Sequence, residues 1–533
     1  MKKQSWKRKL SIFLLIGILI LSGFLMTACG GGQQTAQGEE GQPRIAFYAT
    51  ANEPILDFDP SVEFSNGIVV LHNIYETLLK YEALEDKVVP VLATDYSVSE
   101  DGLIWEFNIR EGVKFHDGSD LNAEAVKLSI ERTINMDQGA AYIWHPVEEI
   151  NVVDTYKVEF KLSYPAPLDL IASAGYAGFI MSPAATEEAS NWFAQGNTAG
   201  TGPYTIDSFK MGEEVVLKVF EDYWKGWEGN YFDKVFFKRV AEASSRRLLL
   251  ERGEVDFVSM LPYEDLEVLK NNPNLDLIVG PSYQNLFFKF NTEKEPLNNK
   301  LVRQAISYAF PYGDVMEYAV GGYATQARGA VPLGHWGHGE DLYQYEHNIE
   351  KAKALLKEAG YEDGGFTITI TYAAGDETQK NAAELFMAEL DKLNINLEIR
   401  GMPWESQWEL SRSSSLDRRQ DILVMYWWPD FASPYGWLYS MFHTEEDILF
   451  NLAYWSNEEF DNLIDEANVI SSTDRDRAEE MFIEAQKILV EEAPSIFVYD
   501  MQYAWIANKT FKGVKNNPVY PNVVFFHETY RQQ

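Results

Sequence analysis

Between Thr367 and Arg400 the chain reads strand, helix, strand in one run. Thr367–Tyr372 alternates apolar and polar side chains, the period of a half-buried strand. Glu377–Leu393 carries an amphipathic helical pattern, and Ile395–Arg400 alternates again. A helix of that length between two strands returns the chain to start beside the first strand, so the pair is expected to be parallel with a right-handed crossover. This run commits the chain to an α/β architecture with a partly parallel sheet.

The same signals recur elsewhere. Leu103–Ile109 alternates like a strand, and Val152–Leu162 reads as a strand pair. Leu121–Thr133 reads as a helix with Asp120 as its N-cap and Ala123, Val126 and Ile130 on one face. Ala241–Arg252 is a helix stopped at Gly253, and Asp256–Met260 a short strand. Leu301–Phe310 and Ile349–Ala359 read as helices ended by Pro311 and Gly360. The apolar strands Leu286–Phe290 and Ser495–Tyr499 lie where one α/β region meets the next, which makes them hinge candidates.

With 533 residues the chain has room for two or three domains. Its single Cys excludes a disulfide framework and a cysteine-based zinc cluster. A formal net charge of −36 argues against a nucleic-acid partner, which needs a basic face to neutralise phosphates.

That single Cys is placed tellingly. Lys2, Lys3, Lys7, Arg8 and Lys9 precede an apolar run from Leu10 to Met26, which ends at Met26-Thr27-Ala28-Cys29. The pattern resembles a bacterial lipobox: residues 1–28 as signal peptide, cleavage before Cys29, and lipid on its sulfur. The other reading, an anchor helix, is at the short edge for spanning a bilayer. Residues 29–43 form a lipidated Cys and a Gly/Gln/Glu tether, so the folded body is expected to begin near Arg44. The lipoprotein reading places that body at the outer face of the cytoplasmic membrane.

No P-loop, HExxH or GxSxG motif is present. Gly200-Thr201-Gly202-Pro203-Tyr204 reads as a tight turn into a strand, because Pro203 denies the helix start that a dinucleotide site needs. His335-Trp336-Gly337-His338 could offer a metal pair, but its glycines point to a polar surface loop. His116 reads as a turn residue capped by Asp117. Trp427-Trp428-Pro429-Asp430-Phe431-Ala432-Ser433-Pro434 follows the apolar strand Ile422–Tyr426. A carboxylate between aromatics at the C-terminal end of a strand suits a cationic amine held against flat faces. Two core tryptophans with Asp430 capping a turn would give the same sequence.

Several motifs, in order, resemble the family 5 extracellular solute-binding proteins of ABC importers. The densest part is Pro90–Thr133, PVLATDYSVSEDGLIWEFNIREGVKFHDGSDLNAEAVKLSIERT. GTGPY at Gly200–Tyr204, LERGEVDFV at Leu250–Val258, FKFN at Phe288–Asn291, VRQAISYA at Val302–Ala309, AKALLKEAGY at Ala352–Tyr361 and WWPDFASP complete the order. The resemblance implies a two-lobe periplasmic-binding-protein-like fold with two hinge strands and an extra α/β subdomain inserted in the first lobe. It implies a first lobe from 44–80, 196–288 and 497–533, an inserted subdomain at 81–195, and a second lobe at 289–496.

By the same resemblance, Trp427 and Asp430 match a Trp-x-x-Asp motif in which the Asp meets a peptide's α-ammonium; Trp428 and Phe431 flank it. Ser433-Pro434 stands where members often carry an acid-Pro pair. Trp404 matches an aromatic position after the preceding strand. Glu63 and Phe64 lie in a loop that approaches ligand in relatives, and Tyr283 and Asn285 precede the first hinge strand. The implied role is capture of di- to oligopeptides by hinge closure and delivery to permease subunits, without enzymatic turnover or a cofactor, by a monomer tethered through its lipid. The same fold could instead take an oligosaccharide, an opine or a nickel chelate. An exported hydrolase using two carboxylates is the reading from a different class.

Overall fold

The computed structural model describes residues 43–51, 55, 57–520 and 522–532. The expected signal segment, Cys29 and the expected tether up to Gln42 lie outside the described residues.

Two long strands organise the body. Leu275–Phe290 and Ser495–Asn508 run antiparallel, side by side. Their register runs from Leu275 opposite Asn508 to Pro281 opposite Gln502, breaks, and resumes with Asn285 opposite Asp500. Before the break the sheet continues from the second long strand through Phe257–Val258, Ile45–Thr50, Lys234–Arg239, Glu214–Val219 and Tyr204–Lys210. After the break it continues from the first through Ile422–Trp427, Thr367–Ala373 and Asn396–Met402. Each half carries its own helices, so the molecule is two α/β lobes joined by two crossing strands. The register break sits at the crossing, where a sheet that must bend loses regular pairing.

The β-α-β run forms as its periodicity dictates. Thr367–Ala373 pairs in parallel with Asn396–Met402, and the helix Glu377–Asp391 crosses between them. Asp376 caps that helix by accepting from the Gln379 amide at 2.9 Å.

Between two strands of the first lobe, in sequence, lies a subdomain. Its antiparallel sheet is ordered Ala93–Val98, Ile104–Ile109, Lys157–Leu162, Val147–Asp154. The helix Ala123–Met136 covers it, burying Ala123, Val126 and Ile130. The cap of this helix differs from expectation. Asn122, not Asp120, accepts from the Ala125 amide at 2.9 Å, while Asp120 pairs with Lys114 at 2.6 Å. A preceding basic residue within reach took the carboxylate, and the neutral Asx side chain two residues on took the helix end.

Gly200 and Gly202 serve a close approach as well as a turn. A Cβ on Gly200 would stand 2.1 Å from the Ile74 carbonyl oxygen, and one on Gly202 2.6 Å from it. Only glycine lets this segment lie against residues 73–74 before the strand Tyr204–Lys210 begins. Among the described residues no helix is long and apolar enough to cross a membrane.

Candidate functional site

The segment after the strand Ile422–Trp427 is folded tightly onto the helix that follows it, Tyr435–Phe442. Pro429 ends the strand pattern, and the Trp427 indole donates to the Gly436 carbonyl at 3.0 Å, tying the two ends of the loop together. Asp430 sits inside this loop and is only 9% exposed. Its Oδ2 accepts from the Tyr142 hydroxyl at 2.6 Å and from Ser440 Oγ at 3.4 Å. Burial, only partly offset by the two hydroxyls, pushes the Asp430 carboxyl up to about 6. Among the described residues no basic side chain pairs with it. A buried carboxylate is costly to ionise unless a cation or several donors face it. Here the donors are hydroxyls, and the described residues supply no cation.

The facing wall comes from the first lobe and its subdomain. Tyr142 stands on the short turn Ala141–Trp144. Tyr176 lies on the loop 173–178, which packs against the helical turn Ile68–Leu71 because Gly175 has no side chain: a Cβ there would meet His72 Nε2 at 2.8 Å and Ile68 Cδ1 at 2.9 Å. The Tyr176 hydroxyl accepts from the Trp428 indole at 2.9 Å, a second bond across the cleft. Ile68, Tyr81, Gly175, Tyr176 and Tyr520 on one side, and Pro429 to Ala432 on the other, enclose a cavity of ≈ 10 Å³ for a water's centre. That is room for about one water molecule. The lobes are closed, and any larger occupant requires them to part.

The other expected site residues divide into two groups. Trp404, 39% exposed, starts the helix Trp404–Ser411 and lies 5.7 Å from the Trp408 ring. Trp408 meets Phe450 at 5.4 Å, and Phe450 meets Trp427 at 5.3 Å. From the opposite wall, Phe64, 42% exposed, presents its ring to Phe450 at 6.1 Å. These spacings are those of mutually attractive aromatic pairs, and the row runs from the cleft rim to the Asp430 loop. Phe431 is buried and lines the small cavity.

Glu63, Tyr283 and Asn285 face elsewhere. Glu63 Oε1 accepts from the Ser65 amide and hydroxyl, both at 2.6 Å, and from the Gly67 amide at 3.2 Å. Its carboxylate therefore caps its own turn. Tyr283 donates to the Gly334 carbonyl at 3.1 Å and Asn285 to the Ala330 carbonyl at 2.7 Å. Both crossing-strand residues grip the loop 330–338.

That loop is not the polar surface loop its glycines suggested. His335 is buried, its ring edge-on to Tyr283 at 4.9 Å and to Trp437 at 4.8 Å. Burial pushes His335 down to about 3, so it is neutral. Trp336 is buried too and donates its indole N–H to the Ala432 carbonyl at 3.0 Å. The glycines let the loop pass under the Asp430 segment, which turns its aromatic residues inward.

Comparison with known proteins agrees with this geometry. The profile described as bacterial extracellular solute-binding proteins, family 5 Middle, matches residues 87–447. The probable D,D-dipeptide-binding periplasmic protein DdpA of Escherichia coli K12 is 31% identical over 87% of this chain and 90% of its own length. The glutathione-binding protein GsiB of Salmonella typhi is 29% identical over 77% and 80%. The periplasmic binding protein DppA of Helicobacter pylori, described as ABC transporter-associated and solved with the peptide STSA, superposes with a TM-score of 0.81. It is 25% identical and covers 92% of this chain and 98% of its own. The chain belongs to the family 5 extracellular solute-binding proteins. As in the expectation drawn from motifs, the fold is two-lobed, and the family is one of binding proteins rather than enzymes.

In this binding protein, sequence reasoning missed Tyr142, Tyr176, Ser440 and Trp336. Tyr142 and Tyr176 reach the site from the far side of the cleft and Trp336 from a distant loop, while Ser440 comes from the helix just after the Asp430 loop. The one available signal was aromatic placement in otherwise irregular segments, YIW at Tyr142–Trp144 and GYAG at Gly175–Gly178.

Proposed function

We propose that this protein is the receptor of an ABC importer, capturing peptides through their α-ammonium group in the interlobe cleft. The observation that carries this reading is Asp430, a buried carboxylate among aromatic walls that no basic side chain of the described residues neutralises. A ligand that brings its own cation completes the site, and tryptophan and tyrosine faces suit an ammonium and its neighbouring peptide planes. Hinge motion about the crossing strands opens and closes the cleft, and a ligand favours closure only by binding the closed form better. We place the hinge at the register break, 281–285 with its partners 500–502; the lobe and subdomain boundaries of 44–80, 81–195, 196–288, 289–496 and 497–533 are proposed with it. The D,D-dipeptide-binding DdpA, the glutathione-binding GsiB and DppA bound to the peptide STSA support the ligand class.

The test is binding of Met-Leu and Ser-Thr-Ser-Ala beside their N-acetylated forms by calorimetry. Acetylation removes the charge that Asp430 would meet, so binding should be lost, and Asp430→Ala should weaken the free peptides by ~2–5 kcal/mol. Equal binding of free and acetylated peptides would sink ammonium capture. Recovery of a sugar, opine or nickel chelate from the purified protein would move the ligand class while leaving the receptor role intact. The lipid anchor on Cys29 is proposed separately: Cys29→Ser should abolish incorporation of labelled palmitate and release the protein from membranes. Monomeric action is likewise proposed.

A further inference from the structure

Asp86 lies at the tip of the hairpin formed by Leu79–Glu82 and Lys87–Pro90, in a left-handed conformation with φ of 44°. The hairpin belongs to the first-lobe side, where Asn517 Nδ2 donates to the Tyr81 carbonyl at 2.8 Å. Arg475 begins the helix Arg475–Glu492 of the second lobe. Across the cleft Arg475 Nη2 reaches Asp86 Oδ1 at 2.8 Å and Oδ2 at 3.0 Å. The Tyr81 hydroxyl donates to the same carboxylate at 2.5 Å. The guanidinium carbon stands 4.5 Å from the centre of the Trp336 ring, and the Trp336 indole holds the Ala432 carbonyl.

Asp86 thus reaches the Asp430 cavity through Tyr81 alone, and Arg475 reaches it through Trp336 and then Ala432. Tyr81, bonded to Asp86, lines one wall, and Ala432, bonded to the tryptophan beneath Arg475, lines the other. We propose that Asp86 and Arg475 form a closure latch, an ion pair made only when the lobes meet, which sets the balance between open and closed forms. The latch rests on the hinge-closure reading of the cleft.

An isolated exposed ion pair contributes little. This one differs in having both carboxylate oxygens engaged, a second donor group on the acid in the Tyr81 hydroxyl, and an aromatic face under the guanidinium. Its side chains remain 39% and 55% exposed, so added salt screens it. Opening therefore becomes easier as ionic strength rises, with no ligand involved.

Small-angle scattering of the purified protein at 50 and 500 mM NaCl tests this. The wild type is expected to expand with salt. Asp86→Asn and Arg475→Gln should already be expanded at low salt, their closed-to-open ratio lower by roughly two- to fivefold, and should respond little to salt. The double variant should match either single one, because the two residues act as one unit. Arg475→Lys keeps the charge but loses the flat stack on Trp336, and should fall between. Asp86 is at an exposed hairpin tip, and melting curves of Asp86→Asn check that its fold is intact. Equal expansion with salt in wild type and Asp86→Asn overturns the latch while leaving hinge closure standing. Identical scattering for every variant and salt overturns both.

Discussion

Tyr142 donates its hydroxyl proton to Asp430 Oδ2 at 2.6 Å, and the two residues come from opposite walls of the cleft. The bond places a neutral donor where a charged amine would give a stronger interaction. It also fixes how the site should respond to pH. Burial holds Asp430 at about 6, whereas an ammonium requires the ionised carboxylate. Above pH 6 the affinity for free peptides should be flat until the peptide's own α-amino group, ordinarily about 7.7–8.0, begins to lose its charge. Below it the carboxyl must first release its proton, so affinity falls by roughly tenfold per pH unit. Calorimetry between pH 4.5 and 8 should show this profile, with proton release in acidic buffers. An affinity independent of pH across that range would remove Asp430 from the binding event.

Tyr142→Phe separates two roles for the hydroxyl. If it competes with the ligand for Asp430, its removal should tighten peptide binding at pH 8 by roughly three- to tenfold, the range of a single hydrogen bond. Because Asp430 then keeps only Ser440 as donor, its carboxyl rises further, and the pH profile of affinity should shift upward. Weaker binding in the variant would instead make the hydroxyl a ligand contact.

Much of the fold was legible because its signals are local. The alternation of Thr367–Tyr372, the amphipathic period of Glu377–Leu393, and Gly253 after Arg252 act within a few residues, so the β-α-β unit and the helices emerge from the sequence. The site was legible only in its local half. Trp427, Trp428, Asp430 and Phe431 are consecutive or nearly so, and the strand end that presents them is visible in the pattern. Tyr142 and Tyr176 meet them only through lobe closure, a relation that no spacing encodes. His335 and Trp336 misled for a similar reason. Their glycines correctly signalled a loop, but whether a loop faces water depends on what passes over it, and here the Asp430 segment does.

Asp500 should make stability depend on pH through the crossing strands. It is buried opposite Asn285 at the register break, where Oδ2 accepts from the Leu333 amide at 3.0 Å. Its Oδ1 and the Asn285 Oδ1 are both buried acceptors without a donor, so one proton on the carboxyl supplies what both lack. Burial pushes Asp500 up from 3.8 to about 7. An acid raised in this way binds its proton more tightly folded than unfolded, so stability falls as pH rises from about 4 to about 7 and is level above that. Asp500→Asn carries a permanent donor. Its urea midpoint should exceed the wild type's at pH 8, and the difference should shrink toward pH 4. Parallel curves for the two proteins would show that Asp500 does not titrate in this window.

The subdomain is fastened to the first lobe by a different kind of bond, and its loss should act on stability rather than on binding. Arg132, on the helix Ala123–Met136, reaches Asp59 Oδ1 at 2.8 Å and Oδ2 at 2.7 Å, and Ser190 Oγ adds a third donor at 2.8 Å. Both charged side chains are nearly fully buried, at 8% and 0% exposure. Arg132→Ala leaves Asp59 as an uncompensated buried charge, which costs ~3–5 kcal/mol, whereas replacing both partners by apolar residues is close to neutral. Urea unfolding should therefore show a large loss for Arg132→Ala and substantial recovery for Asp59→Leu with Arg132→Met. Peptide affinity, measured well below the unfolding transition, should stay within about twofold of wild type, since neither residue lines the Asp430 cavity. A large loss of affinity in a still-folded Arg132→Ala protein would mean that the subdomain's seating controls the position of Tyr142 over Asp430.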